Sequence, residues 1–174
     1  MPKRILVALD RGRHAEAALA GLDEICSPGD EVTLLSVVRP SARRQIGTRP
    51  PRAVTAFTDP VGTARLAPGR ETPVFETPEQ VHERQVVEIS SYLGRRADEL
   101  QRRGFRVHVK ALVNKQPARA IVEFARAYRP SAIVMVKRAY DPSRFFFRSV
   151  SDDVDRANVA PLVLLPGVHR RAIP

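Results

Sequence analysis

The chain has 174 residues, 43% of them apolar, and a formal net charge of +10. That length suits one domain with a single substantial core, and no run reaches the roughly 20 apolar residues of a membrane-spanning helix. One cysteine, Cys26, excludes an internal disulfide, and the opening ten residues, MPKRILVALD, lack the apolar core of a secretion signal, so the expected compartment is the cytoplasm.

Residues 5–9 form a short continuous apolar run, as expected of a strand buried on both faces of a parallel sheet. Ala15, Ala18, Leu19, Leu22, Ile25 and Cys26 then recur at helical spacing until Pro28 and Gly29. Residues 32–38 predict the second strand. From 39 to 77 the pattern vanishes: six prolines, three glycines and scattered arginines predict a long loop or insertion. The charge excess is local to it. Residues 39–70 hold seven arginines against one acid, Asp59, which is +6 of the +10.

Thr77 and Gln80 make a capping-box signature with Pro78 at the favoured first helical position. Val86, Ile89, Leu93, Ala97 and Leu100 give that helix its stripe, and Gly104 ends it. Residues 107–113 predict a third strand. Pro117 opens a helix with Ala118, Ile121, Ala125 and Tyr128 inward, closed before Pro130. Residues 132–136 predict the fourth strand, which ends in a basic, proline-containing loop. Ser149 and Asp152 have the Ser-x-x-Asp spacing of a helix start, predicting a short helix over 149–158. Residues 162–165, Leu-Val-Leu-Leu, are the fifth strand. Strands alternating with helices predict an α/β fold, a doubly wound five-stranded parallel sheet with helices on both faces. Ligands in such sheets sit at the carboxyl ends of the strands, near the switch in strand order.

Read in order, ILVALD, VTLLSVV, PARAIVEFAR, SAIVM and SVSDDVDRANVAPLVLLP resemble the landmarks of the universal stress protein family. The match covers nearly all the chain outside 39–77, which identifies 1–174 as a single domain of that type carrying an insertion. The resemblance implies strand order 3-2-1-4-5, a stress-related regulatory role, and a homodimer built through the edge strand from Leu162 to Leu165. Nucleotide-binding members carry Gly-x-x-Gly-x9-Gly-Ser after the fourth strand. Here Val136, Ala139 and Arg148 stand at the three glycine positions, and the loop is one residue shorter. Asp10, near the ribose in the family, Val38, facing the base, and the helix start Ser149–Val150 match. The family's Asp-Gly-Ser after the first strand reads Asp10-Arg11-Gly12 here.

Each candidate also has a plainer reading. Asp10 can hold a ribose hydroxyl or simply cap a helix or loop; Ser149 is first an N-cap. Lys137, Arg138, Arg144 and Arg148 crowd one loop against Asp141, where they can hold a small anion in the 137–149 pocket or remain solvated. Phe145, Phe146 and Phe147 are consecutive and cannot all face one way, so at least one is expected inside and another at an interface. His14, His82, His108 and His169 lack metal-ligand spacing, and Cys26 sits on an apolar stripe. No motif assembles a catalytic constellation. The arginine-rich segment can neutralise phosphate, but with Phe57 as its one aromatic, base stacking is unsupported and a solvated insertion is the simpler reading. The sequence therefore predicts a non-enzymatic binding protein without a cofactor, and nucleic acid is not the expected partner. The alternatives are an ATP-binding member with weak or no hydrolysis, and an adaptor that holds an acidic partner or RNA through the insertion.

Overall fold

The computed structural model describes residues 2–10, 19–49, 56–58, 64–66, 71–137 and 149–166. They fall in two compact units, residues 1–40 with 85–174, and residues 41–84.

In the first unit, five parallel strands form one sheet: β1 (Arg4–Ala8), β2 (Glu31–Val38), β7 (Arg106–Val113), β8 (Ala132–Lys137) and β9 (Leu162–Pro166), in the order β7-β2-β1-β8-β9. Numbered by the sheet alone this is 3-2-1-4-5, the doubly wound order expected. The continuous apolar runs divide between two layers because successive strand side chains point to opposite faces. Ile5 and Val7 of β1, Val32 and Leu34 of β2 and Val134 of β8 face one helical layer. Leu6, Ala8, Leu35, Ile133 and Met135 face the other. A strand placed this way has no polar side to give up, which is why β1 reads Arg-Ile-Leu-Val-Ala.

Helix α1 (Pro78–Arg102) supplies Ile89, Leu93, Ala97 and Leu100 to the first layer. Its predicted capping box is formed: Gln80 N–H donates to Thr77 Oγ1 at 3.3 Å and Thr77 N–H to Gln80 Oε1 at 2.8 Å. Gly104, at φ +89°, takes the left-handed position that ends it. Helix α2 (Pro117–Tyr128) buries Ala120, Ile121, Val122 and Ala125 in the second layer, where the short helix α3 (Val150–Arg156) adds Val154. The inward face of α2 is thus broader than the predicted stripe, whose Ala118 and Tyr128 are only half-buried. After β1, Leu19 and Ala20 are helical and Gly21–Glu24 form a 3-10 turn. The helical stripe ends in a turn at Ile25 and Cys26, whose N–H groups both bond to the Leu22 carbonyl. Ala15 and Ala18 lie outside the described residues.

Where the sequence predicts a long loop or insertion without strand pattern over 39–77, the absence of strands is corrected. The second unit contains two antiparallel pairs, β3 (Gln45–Arg49) with β6 (Thr72–Phe75), and β4 (Ala56–Thr58) with β5 (Ala64–Leu66). All of β3 is exposed, so it has no inward face to impose a two-residue alternation. Its partner β6 contains Pro73, tolerable because this two-stranded ladder leaves every strand with a free edge. Among the described residues of the unit, the one buried charge is Glu76.

Candidate functional site

The register of the sheet aligns the carboxyl ends of its central strands. Ala8 pairs with Leu35 on one side and Met135 on the other. Asp10, two residues beyond Ala8, therefore leaves β1 between the ends of β2 and β8, where the strand order switches. Leu9 N–H continues the pairing with the Leu35 carbonyl at 2.8 Å, which fixes how Asp10 departs, and Asp10 is half-buried.

Val38 ends β2, half-buried against the first core layer. Its carbonyl accepts the Asn114 N–H at 2.8 Å, extending the β2–β7 ladder one residue past Val113. Val136 lies within β8, opposite Leu165 of β9, and also packs on the first layer. The predicted fourth strand thus runs one residue further than expected, to Lys137, because β9 pairs with it through Pro166. Ser149 and Val150 stand at the start of α3, Val150 against the second core layer. Asp152 N–H donates to Ser149 Oγ at 3.1 Å and Ser149 N–H to Asp152 Oδ2 at 3.3 Å, so the predicted helix start is a complete capping box.

The fold therefore sets Asp10, Val38 and Val136 on three adjacent strand ends. Ala139 and Arg148 lie outside the described residues, as do Arg138, Asp141, Arg144, Phe145, Phe146 and Phe147. Among the described residues, the chemical groups at these strand ends and at the start of α3 are the Asp10 carboxylate, backbone carbonyls and the Ser149–Asp152 capping box. Among the described residues, no group of three or more His, Cys, Asp or Glu side chains can hold a metal ion. His82 and His108 are exposed. Burial, and then nearby Asp30, push the Cys26 thiol up to about 11, which makes it a poor nucleophile. No helix among the described residues is long and apolar enough to cross a membrane.

Sequence reasoning missed a group beside these strand ends. Arg39 follows Val38, Lys115 follows Asn114, and both line a groove with Arg119 and Arg126 of α2. The signal available was the Arg119, Val122, Arg126 spacing on one helical face.

The universal stress protein family model matches residues 1–166. In structure the chain is similar to hypothetical protein MJ0577, with a TM-score of 0.65 at 19% identity over 97% of this chain and 99% of that one. It is also similar to the universal stress protein from Archaeoglobus fulgidus (0.57, 18% identity, 95% and 94% covered). A third is a universal stress protein in complex with cAMP (0.52, 11% identity, 96% and 98% covered). At such identities the likeness is one of fold. No curated protein matches the chain.

Proposed function

Because the chain belongs to the universal stress protein family, we propose that it is a cytoplasmic stress-response regulator that works by binding, as a homodimer, and does not hold ATP in the family's manner. It is not an enzyme in this reading. The observation that carries the proposal is the course of β8, which stays in register with β9 through Val136 and Lys137. Val136 stands at the first glycine position of the phosphate loop. A cradle of backbone N–H groups needs the chain to leave the strand there and approach the phosphates closely. In β8 the Val136 backbone is committed to strand pairing and its side chain to the core.

The positions of Asp10, Val38 and Ser149 favour a second reading, a nucleotide-binding member with weak or no hydrolysis. The cAMP held by one structural neighbour belongs to the same class of ligand. Calorimetry with ATP and Mg²⁺ on nucleotide-stripped protein separates the two. The proposal expects no binding tighter than about 10 μM, roughly −7 kcal/mol. Tighter binding that is lost in Asp10→Ala overturns it in favour of the second reading.

A further inference from the structure

A groove of about 560 Å³ opens beside α2 and α3. Its apolar floor includes Val122, buried in the second core layer, and Val150, half-buried against it. Among the described residues, its charged lining is Arg39, Lys115, Arg119 and Arg126, opposed by Asp153. Two of these charges already have partners: Arg119 Nε meets Glu123 Oε1 at 2.8 Å, and Asp153 meets Arg156 Nη1 at 3.5 Å. Arg39, Lys115 and Arg126 form no ion pair among the described residues, so three positive charges converge uncompensated on one concavity.

Their arrangement is elongated. Arg39 and Lys115 leave the paired ends of β2 and β7, held together by the Asn114-to-Val38 hydrogen bond. Lys115 lies two residues before Pro117, the first residue of α2, so both charges sit at the N-terminal end of that helix. Arg126 is on the same face as Arg119 and Val122, seven residues beyond Arg119, which is about 10 Å along the axis. A single small anion is shorter than this backbone span and need not engage both ends at once. A molecule with an anionic group at each end and an apolar or sugar body between them can engage both, and the volume is that of a small-molecule site.

We propose that this groove binds an elongated organic bisphosphate, one phosphate held by Arg39 and Lys115 and the other by Arg126, across the floor of Val122 and Val150. Guanidinium groups suit this role because their donors match two phosphate oxygens at once. The groove includes Val150, which the family resemblance also places at the nucleotide pocket, but neither Asp10 nor Val136.

The test is calorimetry in buffer of about 50 mM salt, where exposed charges are least screened. The ligands are fructose 1,6-bisphosphate, adenosine 3′,5′-bisphosphate and inorganic phosphate. At least one bisphosphate should bind about tenfold more tightly than inorganic phosphate, since two anchored ends act as linked contacts; which one binds names the ligand class. Arg126→Ala should weaken that bisphosphate about fivefold and leave inorganic phosphate unchanged. Arg126 is exposed, so this truncation spares the fold, and a thermal melt checks it. Asp10→Ala should have no effect. Equal affinity for bisphosphate and phosphate, no heat with any of the three, or bisphosphate binding that ignores Arg126→Ala and falls with Asp10→Ala would each overturn the proposal.

Discussion

Arg84 meets Glu76 side by side, its Nε donating to Oε1 at 2.8 Å and its Nη2 to Oε2 at 2.9 Å. The Arg44 N–H also donates to Oε2, at 2.9 Å, while Glu76 N–H returns a bond to the Arg44 carbonyl and Arg43 Nε donates to the Glu76 carbonyl. Two arginine side chains and one arginine N–H thus converge on a single glutamate in the 41–84 unit. The Arg84 guanidinium, and then the Arg44 N–H, hold its carboxyl down to about 2 from an ordinary 4.5. A carboxyl with a lower folded than unfolded value stabilises fully above the unfolded value and loses that contribution as pH falls through the folded one. Amide protection factors in the β3–β6 pair, corrected for the intrinsic exchange rate, should therefore fall between pH 4.5 and about 2. Glu76→Gln should exchange fast at neutral pH and lose most of this dependence. Protection that stays level across the window in the unsubstituted chain would show that Glu76 does not hold the pair together.

Asp30 does comparable work beneath the parallel sheet. Its Oδ2 accepts the Ser27 N–H at 2.9 Å and its Oδ1 the Lys3 N–H at 2.8 Å, tying the start of β1 to the turn that enters β2. The side chain is buried, so its loss strands two donors. Asp30→Ala should cost about 2 kcal/mol and Asp30→Asn, which keeps one acceptor, about half of that. The Ser27 N–H chiefly lowers the Asp30 carboxyl below its usual value. Its contribution is complete above an unfolded value of about 3.9 and fades as pH drops below it. Urea midpoints at neutral and acid pH read both effects. Equal midpoints for Asp30→Ala and the unsubstituted chain would remove Asp30 from the account.

These two carboxylates show which parts of the fold a sequence displays. The parallel strands were legible because burial on both faces leaves an unbroken apolar run, as in Ile5 to Leu9. Both capping boxes were legible because Thr77 with Gln80 and Ser149 with Asp152 are local pairs, three residues apart. The β3–β6 pair was not, since Arg44 and Glu76 meet across 32 residues and β3 is exposed throughout. At the candidate site, Asp10, Val38 and Val136 fall on the strand ends that the alternation of elements predicts. The basic groove escaped notice because Arg39 and Lys115 come together only through the β2–β7 register.

Ser149 offers a clean local measurement. Its Oγ accepts the Asp152 N–H and lies 2.8 Å from Ser151 Oγ, so it satisfies one of the N–H groups that α3 leaves open. Ser149→Ala should cost about 1 kcal/mol, and Ser149→Asp, which keeps an acceptor, should cost far less. Denaturant unfolding distinguishes them. If both substitutions lower stability equally, the loss lies elsewhere than in the cap.

The two edges of the parallel sheet differ, and in the proposed homodimer the difference favours pairing through β9. Along β7, Arg106, His108 and Lys110 are all exposed at alternate positions, and charges so placed discourage the approach of a second strand. Along β9, Leu162, Val163, Leu164 and Leu165 offer no such barrier. Val163 and Leu165 pack on the first core layer and Leu162 on the second, whereas Leu164 is 41% exposed. Substituting Leu164 therefore perturbs an interface without emptying the core. Burying a leucine stabilises by about 2 kcal/mol, and a two-fold interface counts each residue twice. Light scattering at micromolar protein should give a particle of two chains. Leu164→Arg should give one chain that still melts cooperatively, at a lower temperature because the interface no longer stabilises it, and Lys110→Glu on the opposite edge should leave the pair intact. A single chain before substitution, or a two-chain particle that survives Leu164→Arg but not Lys110→Glu, would place the contact away from β9.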